Sequence, residues 1–216
     1  MRKLLASTVI LLSCITLASA QTDKKAKAIL ADVSKKYRSY DIIKTDFTST
    51  LDNPQAKIKE TQTGTIYLKS KTNKYKIVLK DQELISDGKT QWNYLKTDKE
   101  VQVSDFENDP NLLNPAKIFT IYEKGYKYVS SDDTRINGKI YNVIDLTPLD
   151  SKSPYFKIRL NIDRTTKHIG SAVIFDKNGN KYTYTINSFT PNFKASDSIF
   201  SFDAKQHPGV EVVDLR

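Results

Sequence analysis

Chemistry at a protein site needs nucleophiles, proton-transfer groups or metal ligands, and this 216-residue chain holds few of them. It has one cysteine, Cys14, and two histidines, His168 and His207. That is too small a set for a Cys/His zinc centre, and it leaves almost no imidazole for acid–base work. His168 sits at the start of an alternating apolar segment and His207 directly precedes Pro208, positions that suit structural roles. Ser86-Asp87-Gly88-Lys89 has some residue types of a phosphate loop but lacks its glycines, and it reads better as a turn. The 25 Asp and Glu residues show no spacing that singles out a glycosidase-like pair. The expectation is a protein without catalytic residues, metal or cofactor.

Twelve Tyr and nine Phe argue against intrinsic disorder, and seven Gly with seven Pro exclude collagen-like or low-complexity chains. The first twenty residues read as an export signal. Arg2 and Lys3 precede an apolar run from Leu4 to about Leu17, and Ala18-Ser19-Ala20 offers a small-x-small cleavage site. Cleavage after Ala20 would leave a chain starting at Gln21, with 34 − 2 = 32 basic against 25 acidic residues, hence net +7. It would also carry no cysteine, so no disulfide. Leu11-Leu12-Ser13-Cys14 has the outline of a lipobox, but the apolar run continues past it. Residues 21–216 are expected to form a single periplasmic domain.

What must position any site is a sheet. A helix is expected from about Asp23 to Tyr40, with Ala26, Ile29, Leu30, Val33 and Tyr37 on one face. Period two then takes over. Ile43, Phe47 and Leu51 share a face, as do Ile66 with Leu68, Tyr75 with Ile77, and Trp92 with Tyr94. Later strands carry Ile140, Asn142, Ile144 and Leu146; Phe156, Ile158, Leu160 and Ile162; Ile169, Ser171, Val173 and Phe175; then Tyr182, Tyr184 and Ile186. Asp87-Gly88 and Asn178-Gly179 supply hairpin turns.

Asn114-Pro115 opens a short helix that Gly125 closes, with Leu112, Leu113, Ile118, Phe119 and Tyr122 giving it apolar character; a weaker turn lies near Ser196 to Phe200. The fold class is therefore α+β. About ten antiparallel strands curl into an incomplete β-barrel, and short helices cover its apolar face. Phe47, Tyr75, Ile77, Trp92, Tyr94 and Phe156 either fill a packed core or line a cavity, and periodicity does not separate the two.

Three blocks then resemble a known family, the LolA-type outer-membrane lipoprotein carriers. They are Gly64-Thr65-Ile66-Tyr67-Leu68-Lys69 with Asn73-Lys74-Tyr75-Lys76, the hairpin Leu84 to Tyr94 around Asp87-Gly88, and the ending Phe200-Ser201-Phe202 with His207 to Asp214. The resemblance implies a hydrophobic cavity for lipoprotein acyl chains under a lid. It also implies loading by an inner-membrane ABC transporter and delivery to an outer-membrane receptor, or to that membrane itself, by a monomer. Face parity combined with the resemblance places Phe47, Ile66, Leu68, Tyr75, Ile77, Trp92 and Tyr94 in the cavity, with Leu112, Leu113, Ile118, Phe119 and Tyr122 in the lid. One departure stands out. Where many members carry Arg-Pro, with the arginine linking barrel and lid, this chain has Ser70-Lys71.

Rival readings are weaker. Lys69, Lys71, Lys74, Lys76 and Lys80 interleave with Tyr67 and Tyr75 as a nucleic-acid platform would, yet export removes that partner and a solvated strand face explains the pattern. A transmembrane β-barrel fits neither the lysines nor the interrupting helix. The same fold with another lipid or glycolipid as cargo, or a membrane-anchored receptor if Cys14 were lipidated, stays open.

Overall fold

The computed structural model describes residues 24–106 and 115–216. The leader with Cys14, and the lid residues Leu112 and Leu113, lie outside the described residues. Residues 24–38 form one helix, α1. Ala26, Ile29, Leu30, Val33 and Tyr37 are buried along it, while Lys24, Lys25, Lys27 and Lys35 face water. This is the apolar stripe that a surface helix uses to sit on a core.

Twelve strands follow: β1 (Ile42–Asn53), β2 (Ile58–Lys69), β3 (Lys74–Val78), β4 (Gln82–Asp87), β5 (Thr90–Leu95), β6 (Glu100–Asp105), β7 (Tyr126–Ile136), β8 (Lys139–Pro148), β9 (Tyr155–Asp163), β10 (Ile169–Asp176), β11 (Lys181–Thr190) and β12 (Glu211–Asp214). They make one sheet in the order β12-β6-β5-β4-β3-β2-β1-β11-β10-β9-β8-β7. The sheet does not close, because β7 and β12 are its two edges. It is wider than the ten strands expected, and it is mixed rather than wholly antiparallel. β12 runs parallel to β6, because the chain end returns to that edge in the same direction.

The helix expected after Asn114-Pro115 is two 3-10 turns instead, Pro115–Phe119 and Ile121–Glu123, with Thr120 between them. Gly125 follows at φ +85, a left-handed conformation that stops the helical turns. The turn expected near Ser196 is the 3-10 turn Asp197–Phe200, whose Ser196 side chain accepts from the Ser198 N–H.

Side chains directly opposite on paired strands share a face. The registers therefore sort the whole sheet. Leu68 opposes Tyr75 and Ile66 opposes Ile77, while Thr45 opposes Ile66 and Ser49 opposes Tyr184. Ala172 opposes Leu160, which opposes Ile144. These residues carry one apolar cluster that runs from β3 to β8, with α1 and the first pair of 3-10 turns packed into it. We call this face the inner one.

Two bulges correct the expected parity. Tyr155, not Phe156, opposes Asp176, so Tyr155 is 2% exposed and Phe156 is 51% exposed on the outer face beside Phe175. A second shift at Gly170 sends Ser171, Val173 and Phe175 outward, and Ala172 and Ile174 inward. Simple alternation misses both because a bulge inserts one residue and flips every side chain beyond it.

Gly64 is a point of close approach on the inner face. A Cβ there would lie 2.7 Å from Leu79 Cδ2, 2.8 Å from Phe47 Cε1 and 2.8 Å from the Val78 carbonyl oxygen. A methyl group would have to displace backbone as well as side chains. Gly64→Ala is expected to lower stability by about 1–3 kcal/mol in urea unfolding; wild-type stability would contradict the close approach.

Candidate functional site

The inner face gathers most of the residues that the sequence placed in a cavity. Phe47 and Ile66 are 1% exposed, Ile77 is 2% and Tyr75 is 5%; Leu68 is partly buried against them. From the lid segment, Ile118, Phe119 and Tyr122 belong to the same cluster. Phe119 reaches α1, where its ring centroid lies 5.2 Å from that of Tyr37. Strand residues and covering turns thus occupy one another's apolar surface. Burial pushes the Tyr122 phenol up to about 12 and raises Tyr37 further still, so both rings act as apolar surface at any physiological pH.

Trp92 and Tyr94 are not part of this group. Trp92 opposes Ile85 and Val103, and Tyr94 opposes Glu83 and Val101, whereas Ile77 opposes Leu84 and Leu84 opposes Asn93. Trp92 and Tyr94 therefore lie on the outer face. There Ile85, Val101 and Val103 are buried, apart from the main cluster. The turn Asp197–Phe200 lies against β3 and β4, and Phe200 is buried too. Tyr94 meets Phe202 and His207 at centroid distances of 5.2 and 4.8 Å. Their apolar character holds the chain's end to the sheet. Among the described residues, no group of His, Cys, Asp and Glu gathers as metal ligands would, and no helix is long and apolar enough to cross a membrane.

The family profile described as "Outer membrane lipoprotein carrier protein LolA" matches residues 38–203. The chain belongs to the LolA family. No curated protein matches the chain. Among solved structures, an uncharacterized conserved protein of Thermus thermophilus is similar at TM-score 0.56 and 13% identity, covering 88% of this chain and 99% of the other. A DUF1329 family protein of Desulfovibrio piger is similar at TM-score 0.53 and 12% identity, with 85% and 98% covered. A LolA superfamily protein of Nitrosomonas europaea superposes at TM-score 0.46 and 14% identity, with 82% and 98% covered.

Against the LolA pattern, the Ser70-Lys71 departure acquires a physical consequence. Ser70 Oγ donates to the Tyr37 carbonyl at 2.9 Å and the Ser70 N–H donates to the Asp41 carbonyl, so this corner fastens the end of α1 rather than the lid. Lys69 and Lys74 both pair with Asp197, which ties down the outer turn. The covering turns are held from elsewhere. Glu123 accepts from Arg38 Nη2 at 2.9 Å and from Ser34 Oγ at 3.0 Å, both on α1. No local sequence signal marks this contact, since only tertiary packing brings residues 34, 38 and 123 together. Arg38 is largely exposed, so the ion pair is worth at most about 1 kcal/mol.

A second arrangement also escapes a sequence reading. His168 packs against Phe189 with ring centroids 4.0 Å apart and tilted by 31°, and its Nε2 meets the Tyr40 hydroxyl at 2.9 Å. Tyr37 lies 6.0 Å away, and its hydroxyl accepts from the Ile169 N–H. Burial first, then the Lys36 charge, hold His168 below the ordinary imidazole range, with Asp163 opposing weakly. A base depressed in the folded state favours folding above its ordinary value of 6.5, and the advantage fades as pH falls towards the folded value. Stability should therefore drop as pH falls below about 6.5, and His168→Phe should reduce that drop; an unchanged pH profile would contradict the burial. Tyr37→Phe strands the buried Ile169 N–H and should cost about 1–3 kcal/mol, read by thermal unfolding.

Proposed function

We propose that this protein is a periplasmic carrier that shields lipoprotein acyl chains on its inner face and moves lipoproteins from the inner to the outer membrane. Membership of the LolA family supports this reading. The observation that carries it is the inner face itself, where the strands of Ile66 and Ile77 are met by a short 3-10 turn beside α1, so that part of the cover is not a long helix. Such a cover contributes few backbone bonds of its own and depends on apolar packing, which an acyl chain can replace. The need is large. A chain of ~16 carbons exposes roughly 12 kcal/mol of hydrophobic surface at about 0.8 kcal/mol per CH₂.

In this reading residues 1–20 direct export and are removed after Ala20, and residues 21–216 act as one domain and as a monomer. An inner-membrane ABC transporter loads the carrier, and an outer-membrane receptor or the membrane itself unloads it. No covalent step is involved, which agrees with the scarcity of His and Cys.

The test is uptake. Purified protein offered an acylated lipoprotein should take it up near stoichiometrically, and lipid extraction should recover the acyl chains; no uptake would sink the carrier reading. Phe119→Glu should abolish most uptake while far-ultraviolet circular dichroism still shows the sheet, and unchanged uptake would remove Phe119 from the site.

A further inference from the structure

The inner face changes character at one end. Beyond Tyr75 and Ile77 the same face carries Ser86 on β4, Gln91 and Asn93 on β5, and Gln102 and Ser104 on β6, as the registers show. Ile85, Trp92, Tyr94, Val101 and Val103 lie on the outer face, while Leu84 and Leu95 stay on the inner one, where Glu100 sits beside Gln102. An apolar-only cargo would gain nothing from five neutral hydrogen-bonding side chains placed beside its binding surface.

Their bonding is incomplete in a particular way. Tyr75 donates its hydroxyl to Gln91 Oε1 at 2.8 Å, which leaves the Gln91 amide N–H groups as donors. Gln102 donates to Glu100 Oε1 at 2.8 Å, and Asn93 Nδ2 reaches Gln102 Oε1 at 3.5 Å. Asn93 Oδ1 is buried and has no hydrogen-bond partner. A buried polar atom left this way is destabilising by itself. Lysine is missing from these inner positions: Lys96 pairs with Glu83, which opposes the outer-face residue Tyr94.

We propose that this polar ladder binds the neutral amide head of an acylated ligand, the point where an acyl chain joins a polypeptide, while the chain lies on the Phe47–Ile66–Ile77 surface. The inference rests on the carrier reading and names the part of the cargo that the carrier recognises. A peptide amide accepts from Gln91 through its carbonyl and donates its N–H to Asn93 Oδ1. A fatty-acid carboxylate has no N–H to give, and the ladder offers no cation to a phosphate.

Equilibrium binding of three probes tests this: a short N-palmitoylated peptide, palmitate, and an alkyl maltoside, each below its micelle-forming concentration. The wild type should prefer the lipopeptide to palmitate. The variant Gln91→Leu/Asn93→Leu/Gln102→Leu should weaken lipopeptide binding about tenfold or more while palmitate binding stays within about twofold. Asn93→Leu alone should give a smaller loss in the same direction, and it serves if the triple variant does not fold. Equal losses for all probes, or no loss, would overturn the proposal, and a loss confined to the maltoside would assign the ladder to sugar hydroxyls. If the wild type binds none of the three, the carrier reading itself fails; if it binds palmitate and lipopeptide equally, only the head-group assignment does.

Discussion

A twelve-stranded sheet with one apolar face must keep that face from water, and most of this molecule follows from how it does so. Strand twist prevents so wide a sheet from remaining flat, and the fold leaves it open at β7 and β12. Covering the inner face falls to α1 and two short 3-10 turns. α1 is fastened by Ser70 at one end and contributes Tyr37 to the centre. The turns are fastened by their apolar packing and, at Glu123, by bonds from Ser34 and the exposed Arg38. A fully buried aliphatic or aromatic side chain contributes about 1.5–3 kcal/mol, so the apolar residues of the cover are its main hold.

That division of labour connects stability to function. In the proposed carrier, the contacts that close the inner face are of the same kind that an acyl chain would make, so exchange between cover and cargo would alter the net burial little. A cover made of 3-10 turns suits such exchange, since these turns have poorer hydrogen-bond geometry than α-helix and occur in short pieces. The outer face is handled differently. Trp92 lies opposite Ile85 and Val103, Tyr94 packs on Phe202, and the turn that carries Phe200 lies against β3 and β4, reinforced by the Lys69–Asp197–Lys74 arrangement. Both faces of β4–β6 therefore carry structure, the outer one mainly apolar beneath the chain's end and the inner one rich in polar side chains that are only partly bonded.

Much of this is legible in the sequence. The stripe of α1, the alternation in β1, β8 and β11, and the turns at Asp87-Gly88 and Asn178-Gly179 each have a local cause. Parity, however, states only that two residues share a face. It does not say which face is inside, and so it groups Trp92 and Tyr94 with Tyr75 and Ile77 although the registers put them on opposite sides. Alternation misplaces Phe156 because it cannot register the bulge opposite Asp176. The apolar run after Pro115 predicts a helix but not its 3-10 form, and Arg38, Glu123, His168 and Tyr40 acquire partners only through contacts between segments distant in sequence.

In the proposed carrier an acyl chain occupies the surface under the 3-10 turns. Isoleucine methyl resonances report on both faces, since Ile66, Ile77 and Ile118 belong to the inner cluster and Ile85 to the outer patch. Titration with palmitate, followed by intermolecular Overhauser contacts between its chain protons and these methyl groups, which need near van der Waals contact, reads them side by side. Contacts to Ile66, Ile77 and Ile118 with none to Ile85 are the predicted result; contacts to Ile85 alone, or to none of the four at saturating ligand, would overturn that assignment.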